Sequence, residues 1–244
     1  MRLEISNLIK TFGDNTVLDI NEFKTHNSEI IGLVGNNSAG KTTLFRSILD
    51  LIKCDEGKIR MYIADKNENK EIEIDPTSSE DWKAYTGAYI DEGFLIDFLT
   101  PEEYFYFIGK VNNLSNEATD THLKEFEMFM GGEILGQKKL IRNLSAGNKQ
   151  KVGIISAMLH HPQLIILDEP FNFLDPTSQN MLKKLIVRYN SETGATILIS
   201  SHNLAHTEDI CTRIALLEHG VIIKDLDNRN GAAGKELEKY FDIE

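Results

Sequence analysis

The sequence predicts an α/β domain built on a parallel sheet with helices on its faces. Three observations lead there. The apolar run Ile30-Ile31-Gly32-Leu33-Val34 feeds a glycine-containing turn, residues 35–40, and then a helical pattern. Two later runs, Leu164-Ile165-Ile166-Leu167 and Thr196-Ile197-Leu198-Ile199, have strand length and flank a helix opened by Asp175-Pro176. Strand, helix, strand in that order requires a crossover connection, which sets the strands parallel. Finally, 244 residues with 41% hydrophobic and 26% charged side chains are ordinary globular material.

The elements follow in chain order. Residues 3–10 and 16–23 read as strands around a turn at Gly13-Asp14-Asn15. After the buried strand 30–34, a helix is expected over about 41–51, with Leu44, Ile48 and Leu51 on one face. Residues 58–63 and 71–74 add short strands separated by a charged polar loop. Thr100-Pro101-Glu102-Glu103 combines an N-cap, a proline at the first helical position and a capping-box glutamate. Tyr104, Phe105, Phe107, Phe126 and Phe129 are expected to pack the helical region that follows. A hairpin at His219-Gly220 and a short terminal helix close the chain.

Charge and composition exclude several classes. A net charge of -12 leaves no general basic surface for a nucleic-acid backbone, so an anionic ligand needs a local device. Cys54 and Cys211 have no motif spacing and read as incidental thiols of a reduced compartment. Met1-Arg2-Leu3-Glu4 opens no signal-peptide core, and no apolar run approaches the ~18 residues of a membrane span.

Gly35-Asn36-Asn37-Ser38-Ala39-Gly40-Lys41-Thr42 fits the pattern G-x-x-x-x-G-K-[ST]. Small residues let backbone N–H groups curl around phosphate oxygens, and the helix after them adds its positive dipole end. Lys41 then supplies a cation for the β- and γ-phosphates, and the Thr42 hydroxyl a ligand for Mg²⁺. Asp168 and Glu169 end the apolar strand 164–167: Asp168 is placed to meet Mg²⁺, and Glu169 to accept a proton from attacking water. Two solvated acids are the competing interpretation. Ser145 with the N–H groups of Ala146 and Gly147 opens a helix, either as an anion site or as an ordinary N-cap.

The order of these elements resembles the ABC-transporter ATPase family from Phe12 to about Ile223. Residues 35–42 resemble its Walker A, residues 144–150 (Leu-Ser-Ala-Gly-Asn-Lys-Gln) its LSGGQ signature, and residues 164–169 its Walker B. Asn172-Phe173-Leu174-Asp175 resembles the D-loop and Ser201-His202 the H-switch. The resemblance implies a phosphate-loop NTPase core with a parallel sheet, an antiparallel β subdomain and an α-helical signature subdomain. It implies one domain over 1–244, with the β subdomain and core over about 1–90, the helices over about 98–160, and core again over about 161–244. It implies ATP and Mg²⁺ as ligands, with two such domains, as a homodimer or heterodimer, sandwiching ATP between one Walker A and the other signature. By resemblance, Phe12 stacks on adenine, though a core aromatic competes for that residue. Residues 35–42 and Thr43 hold the phosphates, Ser145, Ala146 and Gly147 face the partner's nucleotide, and His202 contacts the γ-phosphate. Thr42, Asp168 and Asp91 are the implied metal contacts; Lys41, Glu169 and His202 are the catalytic set.

Several residues depart from the family pattern. Ser38 replaces a usual glycine, Ala146 replaces the first signature glycine, and Phe173 stands where a small residue is usual. Counting back from Leu99-Thr100 places Asp91, with Glu92 beside it, where the family has a glutamine. ATP binding is expected to survive these changes, and hydrolysis to survive at reduced or tightly coupled rates. Residues 87–110 resemble the drug- and antibiotic-exporter branch, whose ATPases pair with separate transmembrane permease subunits at the cytoplasmic face of the inner membrane. The leading expectation is thus an exporter motor. A soluble switch in an assembly such as iron–sulfur cluster formation and a weakly hydrolysing regulatory subunit are the alternatives.

Overall fold

A computed structural model describes residues 1–65, 70–234 and 236–237. In chain order the strands are β1 (Arg2–Phe12), β2 (Asn15–Lys24), β3 (Ile30–Val34), β4 (Glu56–Asp65), β5 (Lys70–Ile74), β6 (Thr86–Tyr89), β7 (Leu164–Leu167), β8 (Thr196–Ser201), β9 (Arg213–Glu218) and β10 (Val221–Asp227). The helices are α1 (Lys41–Ile48), α2 (Pro101–Val111), α3 (Asn116–Lys124), α4 (Glu127–Met130), α5 (Ala146–Met158), α6 (Pro176–Thr193) and α7 (Leu204–Glu208).

The strands form two sheets. One is antiparallel, in the order β2-β1-β4-β5. The other has the order β10-β9-β3-β8-β7-β6, parallel from β9 to β6, with β10 antiparallel at its edge. The central parallel strands β3, β7 and β8 read as apolar runs because both of their faces are covered. Side chains alternate between two cores. Ile31, Leu33, Leu164 and Ile166 join α1 and the antiparallel sheet, whereas Val34, Ile165, Leu167 and Ile199 join the helices on the opposite face. The α/β class expected from the sequence is therefore correct.

Local chemistry sets the helix ends. Thr100 and Glu103 form the expected capping box with Pro101 at the first turn. Asp175 accepts from the Thr177 and Ser178 N–H groups and starts α6. The β9–β10 hairpin turns at His219 and Gly220, both at positive φ (46° and 81°), as a two-residue turn matching strand twist requires.

Two packing expectations fail. Helix α1 ends at Ile48 because Asp50 takes a left-handed conformation (φ 51°), so Leu51 lies beyond it and is 49% exposed. Phe107 is 45% exposed, since it lies about 200° around α2 from the fully buried Phe105; Tyr104, Phe126 and Phe129 are buried as expected. The charged loop expected between β4 and β5 falls on residues 66–69, outside the described residues; toward the expected terminal helix, residues 233–234 and 236–237 are helical, and residues 238–244 lie outside the described ones.

Strand β6 was not foreseen, because Thr86-Gly87-Ala88-Tyr89 carries no apolar run and its glycine counts against a strand. The reason for that glycine is tertiary: a Cβ on Gly87 would lie 1.7 Å from the carbonyl oxygen of Ala157 on α5. One turn earlier on α5, a Cβ on Gly153 would lie 2.1 Å from the Tyr89 ring. That ring cannot easily yield, because the Tyr89 hydroxyl donates to Gln150 Oε1 (3.0 Å). Gly153→Ala should gain about 1 kcal/mol of helix propensity yet lose a further amount to overpacking. A net destabilisation of roughly 1–2 kcal/mol is expected in urea unfolding, and a stabilised variant would show that α5 does not rest on β6 in this way.

Candidate active site

The C-terminal ends of β3, β7 and β8 bring the functional side chains together. The loop after β3 has the backbone of an anion cradle. Gly35, Ser38 and Gly40 all have positive φ (158°, 69° and 108°). A Cβ at Gly35 would lie 2.2 Å from the Leu217 carbonyl oxygen, and one at Gly40 2.8 Å from that of Val17. The loop closes on itself through Ala39 N–H to Asn36 O (3.2 Å), and the β9–β10 hairpin supports it through Gly220 N–H to Ala39 O (2.9 Å). Ser38, which stands where the family usually has glycine, takes the left-handed conformation all the same. Asn36, Asn37 and Ser38 are exposed, Ala39 is buried, and Thr43 is partly buried on α1.

Lys41 is buried, and its Nζ donates to the carbonyls of Gly35 (2.6 Å) and Asn36 (3.1 Å). It also lies 3.3 Å from Glu169 Oε1. Thr42 Oγ1 donates to Asp168 Oδ2 at 2.5 Å, and Ser200 Oγ donates to Asp168 Oδ1. Burial pushes the Asp168 carboxyl above the ordinary range, a shift only partly offset by those two hydroxyls.

Glu169 sits just past β7 at φ 46°, a left-handed conformation that costs a non-glycine residue about 1–2 kcal/mol. Contacts on both its backbone and its carboxylate hold it. Its N–H donates to Ser200 Oγ (2.8 Å), its carbonyl accepts from Gln150 Nε2 (3.1 Å), its Oε2 lies 2.8 Å from His202 Nδ1, and its Oε1 faces Lys41. The structure thus brings Lys41, Thr42, Asp168, Glu169 and His202 into one hydrogen-bonded cluster.

Other candidates lie around it. Asp91 lines the same cleft as Thr42, Asp168 and Glu169, but its carboxylate is engaged by Arg46 Nη2 (3.1 Å) and the Gly93 N–H (2.8 Å). Ser145 caps α5 by accepting from the Asn148 N–H (3.2 Å), so an ordinary cap is present whatever else it does. Ala146 borders the cleft, while a Cβ on Gly147 would lie 2.7 Å from the Phe173 carbonyl oxygen. Phe173 is 73% exposed at φ 62°. Phe12 ends β1 with 54% exposure and Lys10 Nζ 5.1 Å from its ring centroid, which removes the core-aromatic interpretation.

Sequence reasoning missed Ser200, Gln150 and Arg46. Ser200 is placed by the parallel register, which pairs Leu167 with Ile199 and so sets the next residues, Asp168 and Ser200, side by side. Gln150 stands at the end of the signature-like stretch but without a role of its own there, and Arg46 carries no local signal.

The residues fit Mg²⁺. Thr42 and Asp168 offer hard oxygen donors together, and among the described residues no group of three His, Cys, Asp or Glu side chains could hold a metal by itself. A hard cation here would complete its shell with phosphate oxygens.

Fold and site define the class first: a phosphate-loop nucleotide hydrolase. The family model described as "ABC transporter" matches residues 18–172. The bacitracin transport ATP-binding protein BcrA of Enterococcus faecalis is 30% identical over 230 residues, covering 92% of this chain and 69% of that protein. The tungstate uptake system ATP-binding protein TupC of Peptoclostridium acidaminophilum is 32% identical over 220 residues, covering 90% and 96%. A solved ATP-binding subunit of an ABC transporter superposes with a TM-score of 0.79 at 25% identity, covering 100% of this chain and 94% of that one. The chain belongs to the ABC transporter family as an ATP-binding ATPase domain. Among its described residues no helix is long and apolar enough to cross a membrane.

Proposed function

We propose that this chain is the ATPase motor of an exporter, working as a dimer against transmembrane permease subunits on the cytoplasmic face of a membrane. Residues 1–244 act as one ATPase domain, with 98–160 as its helical subdomain. The observation that carries the proposal is the Lys41–Glu169–His202 cluster beside the Thr42–Asp168 pair. It sets a cation, a base and a metal-binding pair at the mouth of an anion cradle. The export direction is supported by similarity to BcrA and to the linearmycin resistance ATP-binding protein LnrL of Bacillus subtilis, 30% identical over 223 residues. TupC, named for uptake, supports the opposite direction.

Loop N–H groups at 35–43 and Lys41 hold the triphosphate, with Lys41 exchanging its two carbonyl partners and Glu169 for phosphate oxygens. Release from Lys41 leaves Glu169 free to take a proton from the attacking water, while His202 orients it and meets the γ-phosphate. Mg²⁺, held by Thr42 and Asp168, would neutralise charge on the β- and γ-phosphates. Asp91, paired with Arg46 and capped onto the Gly93 N–H, stays outside that shell. Ser145, Ala146 and Gly147 present the α5 N-terminus to the partner domain's nucleotide. Catalysis here is positioning and electrostatics.

Phe12 supplies an exposed ring for adenine. Phe12→Ala is expected to weaken ATP binding roughly ten- to a hundredfold, the range of base–aromatic stacking, and Phe12→Trp to retain it. Titration with ATP checks this, and unchanged affinity in the alanine variant would move adenine elsewhere.

The transport role is tested by purifying the tagged chain from membranes in mild detergent and reconstituting what accompanies it. A multi-span subunit and MgATP-driven accumulation inside vesicles whose ATPase faces outward support the exporter. Depletion of the lumen would mean uptake, and the absence of any such subunit would overturn the motor itself.

A further inference from the structure

We propose that Arg46 is a further positioning residue of the ATP site: it neutralises Asp91 and holds that carboxylate off the nucleotide phosphates. The proposal rests on the ATP-site assignment above. Arg46 lies four residues after Thr42, one turn along α1, and therefore on the same face of the helix. Its Nη2 lies 3.1 Å from Asp91 Oδ2, while Asp91 Oδ1 accepts the Gly93 N–H at 2.8 Å and caps the 3-10 turn Glu92–Phe94. Both oxygens of the acid are thus engaged by partners of their own, although Arg46, Asp91 and Asp168 line one cleft.

Stability alone does not account for this pair. Its side chains are 40% and 44% exposed, a setting in which ion pairs contribute little. Arg46 Nε is also buried without a hydrogen-bond partner, which costs free energy. The charge pattern of the cleft supplies the reason. Asp91, Glu92, Asp168 and Glu169 all line it, so four carboxylates surround the place where a polyanion must bind. Three of them have a cation partner: Glu169 has Lys41 at 3.3 Å, Glu92 has Lys149 at 3.2 Å, and Asp91 has Arg46. Asp168 is held by hydroxyls. Lys41 must leave its carboxylate to hold phosphate, but Arg46 need not leave Asp91. Without Arg46, Asp91 would stand as an unpaired negative charge beside the triphosphate, repelling it through a partly desolvated cleft.

The test measures ATP affinity of the full chain by calorimetry, with Mg²⁺ and with EDTA, for Arg46→Gln, Asp91→Asn and the double variant. Arg46→Gln is expected to weaken ATP binding about five- to tenfold, more at low salt than at high salt. Asp91→Asn, which keeps the cap oxygen, should bind ATP as well as the parent or better. The double variant should return to within about twofold of the parent, and Arg46→Lys should stay near it. A loss that persists in the double variant would mean that Arg46 holds phosphate or shapes α1 itself, and would overturn the proposal. Unchanged affinity in Arg46→Gln, or weakened affinity in Asp91→Asn, would overturn it equally. Should Arg46→Gln not fold, Asp91→Asn and Arg46→Lys carry the same comparison. Failure of the underlying ATP-site assignment would look different: Lys41→Ala would then bind ATP normally.

Discussion

Lys41→Ala should raise the ATP dissociation constant by at least about 100-fold, because the phosphate loop loses a buried ammonium aimed at its mouth. The side chain makes three contacts in the structure, to the Gly35 and Asn36 carbonyls and to Glu169. Those carbonyls are good resting partners for an ammonium and poor substitutes for phosphate oxygens, so the nucleotide wins the exchange. Removing the lysine also leaves Glu169 facing the incoming γ-phosphate with only His202 beside it. Loss of attraction and gain of repulsion therefore act in the same direction. Calorimetric titration with ATP reads the effect, and a thermal melt separates it from misfolding. A folded variant with parental ATP affinity would remove the phosphate-loop assignment.

Glu169→Gln is expected to do the opposite: keep ATP binding and slow hydrolysis by about 10²- to 10⁴-fold, the usual contribution of a general base. The amide preserves the shape that sits between Ser200, Gln150 and His202 and can still accept from a ring N–H, but it cannot take a proton from water. It also discharges the contact with Lys41, so ATP should bind at least as well as to the parent. With turnover blocked, an ATP-bound dimer should accumulate and elute at twice the mass on gel filtration. Phosphate release at the parental rate would transfer the base role to another group, with His202 the first to examine.

Much of this protein is local, and that part was legible in the chain. A phosphate loop needs permissive backbone at given positions between a strand and a helix; Gly35 and Gly40 meet that need, and Lys41 and Thr42 follow within the same eight residues. The capping box at Thr100 and Glu103, the Asp175 cap and the His219-Gly220 turn are likewise satisfied by neighbours in sequence. Apolar runs at 30–34, 164–167 and 196–199 could be buried only on both faces, which determined a parallel sheet.

Only the tertiary structure decided what depends on partners far along the chain. Ser200 meets Asp168 and Glu169 because β7 and β8 pair in register. Gln150 reaches Glu169 because two glycines, Gly87 and Gly153, let α5 lie close on β6. Leu51 and Phe107 carry apolar side chains that their elements turn to solvent, a matter of where a helix stops and which face it buries. Asp91 looked in the sequence like an acid beside the triphosphate, and folding places Arg46 next to it. A residue's type sets which charge it brings; the charge that cancels it comes from whichever element the fold packs alongside.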